Sequence, residues 1–456
     1  MSSTIIISRS LAAILALGAV TAVSVEGQSS LPKKSRLERF TPGKQHANEG
    51  PAGYFYIEGI TQPVKIVHVP ARTGYDNLTN GFLRQGPAFD TLNKDNVVPG
   101  RSYNDNRFVF EEVEAYADGL GPTYNAQSCR ECHQNVVTGG SSQVAVQRAG
   151  YTKDDQFFEA PGGSLIQSRA TYPDIVERVP EGDTTRTFRI SLNTMGDGYV
   201  ECIADSTLTA ISDAQPEAQR GTPLLVAVLE GDGSSRVGRF GWKCQHGSLL
   251  SFSADAYLNE IGITSDLLPD ENTSNGKFVG YGTEYDPVPD PEPDGADTVF
   301  FADFMRSTEA PARGPITNDV LTGQRLFNQI GCEICHVSDI TTASPGTVID
   351  GGTFIVPNVL ANKTINPFSD FLLHDIGTGD GIPVLPLPEY QFTAPLIRTA
   401  PLWGLRTRNR LMHDGLSITQ LDAIARHTMQ AQSATDAFNG LTYSQKNQIL
   451  AFLASL

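Results

Sequence analysis

The sequence is poor in cysteine and in basic residues. Only 6 of its 456 residues are cysteine, too few for a disulfide-stabilised scaffold of this length, so the spacing of the cysteines matters more than their number. Lysine and arginine number 34 against 51 acidic residues, and the net charge is -17. This balance disfavours nucleic acid as a partner, because phosphate binding needs a basic face. It favours a basic protein partner or a small substrate.

Long hydrophobic runs are also missing. No apolar stretch approaches the roughly 18 residues needed to cross a membrane. Residues 11–20 are apolar or small, follow Arg9, and precede small residues with plausible cleavage after Ser24 or Gly27. This pattern predicts a signal peptide over residues 1–27, with an uncleaved anchor helix as the alternative. We therefore expect a mature protein without a membrane span, in the periplasm or otherwise outside the cytoplasm, where disulfides persist.

Composition changes divide the rest of the chain. Residues 28–50 are polar and are predicted to form a tether. A stretch rich in proline and aspartate at 286–297 and a proline/glycine cluster at 311–315 mark a boundary. We expect an N-terminal domain over residues 51–300 and a C-terminal domain over residues 301–456.

Periodicity favours helices at the C-terminal end. Residues 318–330 carry apolar side chains near helical spacing, and Thr442 with Gln445 fits a capping box before another apolar stripe. Residues 60–300 mix strand-like runs, such as 224–228, with helical ones, such as 249–261. The chain has 43 glycines and 28 prolines, which favour long loops. The predicted fold class is mainly α with long loops and some β.

Two Cys-x-x-Cys-His elements carry the clearest chemical signal. Two thiols one helical turn apart can form thioethers with the two vinyl groups of haem, and the adjacent histidine can then bind the iron. A zinc knuckle or a redox dithiol is the alternative, but neither explains a histidine directly after both pairs in an exported protein. The elements predict two covalent c-type haems, held by Cys129, Cys132 and His133 and by Cys332, Cys335 and His336.

Cys202 and Cys244 are left over. In an oxidising compartment two remaining cysteines most simply form a disulfide, which we expect here. Two buried free thiols are the alternative, because sequence does not show whether the two Cα atoms are close enough.

Several motifs resemble those of the bacterial di-haem c-type oxidoreductase family, also known as thiol oxidoreductases. That family is distantly similar to di-haem cytochrome c peroxidases and to the di-haem enzyme that matures methylamine dehydrogenase. The resemblance implies two cytochrome c-like helical domains, each with one covalent haem, of which one is catalytic and the other feeds it electrons. In chain order the motifs are residues 118–122 (DGLGP), 128–133 (SCRECH), 240–243 (FGWK), 260–264 (EIGIT), 372–375 (LLHD), 398–404 (RTAPLWG) and 413–415 (HDG).

The resemblance implies a distal ligand for the C-terminal haem. In the relatives this ligand follows the His-Asp-Gly motif, and aligning His413 and Thr419 on that pattern places His427 at the position. The alternative is a solvent-facing His427 on an amphipathic helix. Met429 lies on a different helical face, so the two residues cannot both serve.

The resemblance also implies two residues that act in catalysis. Trp242 matches a tryptophan that lies between the haems, although a buried core tryptophan is the alternative. Glu260 matches the catalytic glutamate, which can take a proton from one peroxide oxygen and return it to the other. A solvated helix residue is the alternative for Glu260. Phe252 stands where the relatives carry a glutamine, so a polar partner of the glutamate is missing.

The N-terminal haem has no histidine soon after its Cys-x-x-Cys-His element, since the next one is His246. We therefore expect an open iron there, which reduces peroxide with electrons that arrive through the C-terminal haem. The alternatives are an electron-transfer cytochrome without catalysis and an oxidase or oxygenase of an organic or protein substrate. The expected donor is a basic protein of the small cytochrome or cupredoxin type. Calcium, which some relatives bind, lacks support because Arg408, Asn409 and Arg410 do not match the relatives' residues.

Overall fold

The computed structural model describes residues 103–456, together with the backbone of three two-residue strands before them. The predicted signal peptide (residues 1–27) and tether (residues 28–50) lie outside the described residues and stay predictions. The chain forms two compact units, Met1–Val67 and His68–Leu456. In the first unit, strand β1 (Tyr54–Phe55) pairs antiparallel with β2 (Val64–Lys65). Among the described helices, none is both long enough and apolar enough to span a bilayer.

Both Cys-x-x-Cys-His elements lie in the second unit, whose helices are mostly short. A π-helical segment, Tyr257–Ile261, continues one of them, and a 3-10 turn, Cys332–Ile334, follows another. The α-helices are α1 (Tyr103–Glu111), α2 (Cys129–Cys132), α3 (Asp197–Glu201), α4 (Asp205–Ala214), α5 (Leu249–Ala256), α6 (Thr298–Arg306), α7 (Asn318–Gln329), α8 (Gln420–Ala425), α9 (Gln432–Asn439) and α10 (Tyr443–Leu453).

The strands that lie between these helices in the chain are mostly short. The largest described sheet is antiparallel and pairs one long strand, β5, with β6, β7 and β9. The strands of the second unit are β3 (Val69–Pro70), β4 (Thr123–Tyr124), β5 (Ala145–Lys153), β6 (Gln156–Glu159), β7 (Leu165–Ile166), β8 (Arg169–Ala170), β9 (Thr185–Ile190), β10 (Leu225–Ala227), β11 (Ser235–Val237), β12 (Ile340–Thr341), β13 (Val348–Ile349), β14 (Phe354–Ile355), β15 (Lys363–Ile365), β16 (Leu373–His374) and β17 (Ile397–Arg398). Helices and sheets are thus both present, and the description as mainly α is not confirmed.

The pairing register of the long sheet fixes the position of β9, which ends at Ile190. Residues Ala145 to Gly150 of β5 pair with Ile190 to Thr185 of β9, and the other end of β5 pairs with β6. The remaining sheets have two strands, apart from a three-stranded one in which β15 lies between β12 and β3.

The two Cys-x-x-Cys-His elements have similar helical surroundings. Helix α1 precedes the first element and packs against α6, whereas α7 precedes the second and packs against α10. Gly323 permits the second contact, because a Cβ there would lie 1.9 Å from the carbonyl oxygen of Gln448. The predicted capping box forms at the start of α10, where Thr442 and Gln445 bond each other's backbone. The predicted helices at 318–330 and 249–261 and the strand within 224–228 are therefore confirmed.

Two large apolar clusters lie beneath these helices. The larger one contains Tyr257 and Phe301 and extends from α1 to Trp403, and the second contains Phe327 and Phe452 at the contact of α7 with α10. The predicted domain boundary at residue 300 falls inside α6, which packs against α1 and α5. The two-domain division stays a prediction.

Candidate functional site

A large cavity lies beside the second Cys-x-x-Cys-His element. Its empty space, including the part open to solvent, is about 1290 Å³, and most of its lining is apolar. Cys332, Cys335 and His336 line one side, and Ala423, Ile424 and His427 from the region of α8 line another. Such a cavity can accept a flat apolar group, because burying apolar surface is favourable.

Two imidazoles face each other across this cavity. The ring centres of His336 and His427 are 6.4 Å apart. Nδ1 of His336 lies 2.9 Å from the carbonyl oxygen of Phe368, and Nδ1 of His427 lies 2.7 Å from that of Ala423. A backbone carbonyl on Nδ1 fixes the tautomer and leaves Nε2 free, which is the arrangement that metal-binding histidines adopt.

The separation of the two rings fits a single metal ion. An imidazole nitrogen lies about 1.1 Å from its ring centre and binds a metal at about 2.0 Å. Two rings on opposite sides of one metal therefore have centres about 6.2 Å apart. The observed 6.4 Å agrees with this value. Burial lowers the pKa of His336 to about 4 and also lowers the pKa of His427. Both rings are therefore neutral at pH 7, as metal ligands must be.

Three arginines add positive charge to the otherwise apolar lining. Arg398 donates from Nε to the carbonyl oxygen of Gly241 at 2.7 Å, and Arg410 donates to that of Gly415 at 3.3 Å. Arg408 lines the same cavity. Arginine is well suited to carboxylates, so these side chains can pair with the acidic groups of an otherwise apolar ligand.

Trp242 also lines the cavity. Its indole N–H donates to the carbonyl oxygen of Ile190 at 2.8 Å, and its ring meets the edge of His413 at 6.2 Å. Ile190 ends β9, and Leu192, two residues later, lines the cavity, while its backbone helps to raise the pKa of His133 against the effect of burial. Trp242 thus contacts the short segment that joins the cavity to the first Cys-x-x-Cys-His element.

The surroundings of His133 in the first element resemble those of His336 in the second. Nδ1 of His133 lies 3.2 Å from the carbonyl oxygen of Gly140, and burial lowers the pKa of His133 to about 4. Phe110 of α1 lies 6.1 Å from the His133 ring, as Phe327 of α7 lies 6.0 Å from the His336 ring. Within residues 103–456, no second imidazole is paired with His133.

Glu260 lies next to the first element. It belongs to the π-helical segment, and π-helical turns often occur at functional sites. Its carbonyl oxygen accepts hydrogen bonds from the backbone N–H groups of Asn125 and Ala126, just before α2, at 2.8 and 3.0 Å. Gly262 ends the segment with φ +85°, and a Cβ there would lie 2.8 Å from the backbone of Gly121. This close contact holds the π-helical segment against the chain that leads to Cys129.

The Glu260 carboxyl group is held near Cys132. Its Oε2 accepts a hydrogen bond from the side-chain nitrogen of Asn125 at 2.9 Å, and its charge raises the pKa of the Cys132 thiol. Burial raises the pKa of Glu260, although Arg148 and the Asn125 hydrogen bond oppose that effect. A carboxyl group with a raised pKa is better matched to proton transfer near neutral pH.

Two histidine–aspartate pairs that the sequence did not reveal support these sites. Nε2 of His246 lies 3.1 Å from Oδ2 of Asp255, one turn before Glu260. Beside the second element, Nε2 of His374 lies 2.8 Å from Oδ2 of Asp370. Burial opposes protonation of His374, but Asp370 outweighs it and raises the pKa to about 10. The LLHD motif was the available signal for His374, but it gave no role.

Cys129, Cys132 and Cys332 lie in surroundings that keep their thiols protonated. Burial raises the pKa of Cys132 and of Cys332 to about 12 and raises that of Cys129 further. A reactive dithiol needs the opposite shift, so the redox-dithiol alternative is disfavoured.

The expected Cys202–Cys244 disulfide is wrong in this structure. Both residues are free thiols, and each is buried. Cys202 packs in the largest apolar cluster, whereas Cys244 packs in a separate one with Leu224 and Leu373. The Cys244 thiol donates instead to the carbonyl oxygen of Phe371 at 3.3 Å.

Phe252 takes the place of the glutamine expected near Glu260. Its ring stacks on Phe240 with centres 6.0 Å apart and an angle of 7° between the planes. It also lies 5.5 Å from the His246 ring. Phe252 therefore joins an aromatic cluster and offers Glu260 no hydrogen bond.

Comparisons with known proteins agree with the motifs. The sequence model of the family described as "Di-haem oxidoreductase, putative peroxidase" matches residues 166–456. No curated protein matches the chain.

Solved structures give weaker likenesses. The chain is similar to hydrazine synthase of Kuenenia stuttgartiensis, at 14% identity, with 94% of this chain and 100% of the other covered and a TM-score of 0.36. It is also similar to a MauG-like protein associated with microbial copper homeostasis, at 12% identity, with 87% of this chain and 95% of the other covered and a TM-score of 0.37. A third similar structure is the di-haem peroxidase BthA of Burkholderia thailandensis, at 13% identity, with 87% of this chain and 93% of the other covered and a TM-score of 0.35.

Proposed function

The chain belongs to the di-haem oxidoreductase family and is an oxidoreductase, and we propose that it is an exported enzyme that reduces peroxide at its N-terminal haem with electrons from its C-terminal haem. The asymmetry between the two sites carries this proposal. His336 faces a second imidazole, whereas within residues 103–456 His133 has no such partner, and the charge of Glu260 acts on Cys132 of the same element. An iron with two protein ligands suits electron transfer, and an open iron suits chemistry with a small oxidant.

The residues of the chain fit two covalent c-type haems. Cys129 and Cys132 would bind one haem and Cys332 and Cys335 the other, with His133 and His336 as iron ligands. His427 would complete the second iron, since its Nε2 is free and its ring faces His336. Arg398, Arg408 and Arg410 line that cavity and would pair with the propionates. When bound, the haem irons supply the one-electron chemistry that amino-acid side chains cannot.

Glu260 moves the proton in this proposal. Its carboxylate would accept a proton from one peroxide oxygen and donate it to the other as the O–O bond breaks. Asn125 holds Oε2 of Glu260 at 2.9 Å, so the carboxyl group keeps a fixed orientation even though Phe252 offers it no hydrogen bond. Asp255, whose charge is paired with His246, raises the pKa of Glu260 a little further.

Trp242 connects the sites in this proposal. Its ring lines the C-terminal cavity, and its N–H is bonded to Ile190, two residues before the Leu192 backbone that contacts His133. This position supports a role for Trp242 in coupling the two haems.

The net charge of -17 supports a basic electron donor of the small cytochrome or cupredoxin type. Export, through the predicted signal peptide over residues 1–27, is part of the same proposal. The enzyme would then work in the periplasm or elsewhere outside the cytoplasm.

Rapid mixing of the purified di-haem protein with hydrogen peroxide tests the proposal. We expect the spectrum of the N-terminal haem to change first. Both haems should then lose electrons to the peroxide. A donor-reduced protein should then consume peroxide catalytically. A protein that carries both haems and ignores peroxide would contradict the proposal and favour a carrier or a different oxidant.

A further inference from the structure

Four carboxyl groups meet in the segment between the π-helical turn and α6. They belong to Glu271, Asp286, Asp290 and Glu292, and one oxygen from each lies within 4.8 Å of those of the others. None of these residues belongs to either Cys-x-x-Cys-His element or to the peroxide proposal. The cluster therefore needs a separate explanation.

The oxygens of this cluster are buried and lack partners. Oε2 of Glu271, Oδ2 of Asp286, Oδ1 of Asp290 and Oε1 of Glu292 are all inaccessible to solvent and accept no hydrogen bond. Asp286 is 4% exposed and Glu292 is 3% exposed. A buried polar atom without a partner costs roughly 1–3 kcal/mol, and a charged one costs more.

No positive side chain compensates these charges. Within residues 103–456, no lysine or arginine forms an ion pair with any of the four carboxyl groups. The side chains thus converge without a cation supplied by the protein.

The remaining oxygens are used to orient the four groups. Glu292 accepts through Oε2 from the backbone N–H of Thr264 at 2.9 Å, and Glu271 accepts through Oε1 from Asn272 at 2.8 Å. Asp286 accepts through Oδ1 from Val288 at 3.0 Å. In these three residues one oxygen is bonded to the backbone and the other is buried without a partner.

We propose that Glu271, Asp286, Asp290 and Glu292 bind a calcium ion. Calcium binds oxygens at about 2.3–2.6 Å, and four carboxyl oxygens that all lie within 4.8 Å of one another can surround one such ion. Magnesium binds at about 2.0–2.1 Å and keeps several waters, which a buried cluster of four carboxylates suits less well. An all-oxygen ligand set also disfavours zinc and copper.

The ion would hold the loop against the π-helical segment. Thr264, bonded to Glu292, lies four residues after Glu260. The side chain of Asn272, next to Glu271, donates to the carbonyl oxygen of Leu258 at 3.4 Å and to the side chain of Asn259 at 3.3 Å. The site is therefore structural, and it stabilises the segment that carries Glu260.

Metal analysis and calorimetry of the full di-haem protein test this site. We expect about one calcium per chain beyond the two irons after dialysis. Removal by EDTA should lower the unfolding midpoint, and 1 mM CaCl₂ should raise it again by about 3–8 °C, because a ligand that binds the folded state stabilises it. Titration of the EDTA-treated protein with CaCl₂ should show one site, and MgCl₂ should bind at least about tenfold more weakly.

Two variants separate a calcium site from a merely structural cluster. Asp286→Asn should weaken calcium binding at least tenfold, yet in EDTA it should unfold at the same temperature as the original protein or a higher one, since a repelling charge is gone. Glu284→Gln alters an exposed carboxyl group of the same segment and should bind calcium normally. A protein without bound calcium whose midpoint ignores both EDTA and CaCl₂, or an Asp286→Asn protein that binds calcium as well as the original, would overturn the proposal.

Discussion

His133 and His336 follow pairs of cysteines, and each places Nδ1 against a backbone carbonyl, with a phenylalanine from the preceding helix about 6 Å away. On the far side the two differ. His336 faces His427 at 6.4 Å across a mostly apolar cavity, whereas within residues 103–456 no second imidazole is paired with His133, and the charge of Glu260 acts on Cys132 of the same element. The same proposed attachment chemistry would thus support two different iron environments.

This difference teaches that the far side of each site decides its role. A second imidazole would fill the iron and limit it to electron transfer, while a carboxyl group would leave the iron accessible and add a proton carrier.

Glu260→Gln should abolish most of the reaction with peroxide. The substitution keeps the size of the side chain and its hydrogen bond from Asn125 but removes the basic carboxylate, so the rate should fall by about 10²–10⁴-fold. Stopped-flow mixing with hydrogen peroxide measures this rate. Haem content should be unchanged, and Glu217→Gln, at an exposed position, should react like the original protein. Equal rates for Glu260→Gln and the original protein would remove Glu260 from the mechanism.

His427→Ala should convert the C-terminal haem alone to a high-spin state. The variant loses the second imidazole, so the low-spin signal in electron paramagnetic resonance should disappear while the N-terminal signal stays. Met429→Leu is the matched control, because Met429 is 62% exposed and should not bind the iron. If the low-spin signal survives in His427→Ala, another residue is the ligand.

Trp242→Phe should weaken the connection between the two sites. The indole N–H bond to Ile190 is lost, so the free energy of unfolding should fall by about 1 kcal/mol in denaturant titrations. Freeze-quench spectroscopy after peroxide addition should also show slower oxidation of the C-terminal haem. Unchanged transfer would reduce Trp242 to a packing residue.

Added salt should slow reduction by a basic donor. The net charge of -17 attracts such a donor, and the screening length falls from about 30 Å at 0.01 M to about 8 Å at 0.15 M salt. We expect the second-order rate constant to fall by about tenfold over this range. A neutral donor of similar potential is the control. Salt-independent kinetics with the basic donor would contradict electrostatic steering.

The sequence predicted the local features of the fold better than the long-range ones. Helices α7 and α10 and the capping box at Thr442 follow from spacing within a few residues. The long β5–β9 pairing was not predicted, because its partners are brought together by the fold and not by local preference. The disulfide failed for the same reason, since nothing in the spacing of Cys202 and Cys244 reveals that they pack in different clusters.

The candidate site divides in the same way. The two Cys-x-x-Cys-His elements are contiguous and were visible directly, and the motif alignment brought His427 forward as a partner of His336. The His246–Asp255 and His374–Asp370 pairs were missed. Neither pair has a recognisable spacing, and each gains its meaning only from what lies beside it in space.

Electron paramagnetic resonance of the oxidised protein tests the central comparison most directly. The account predicts two signals of equal weight, a high-spin signal from the N-terminal haem and a low-spin signal from a C-terminal haem with two histidine ligands. Two low-spin signals would contradict it, because both irons would then be closed and the protein would be an electron carrier.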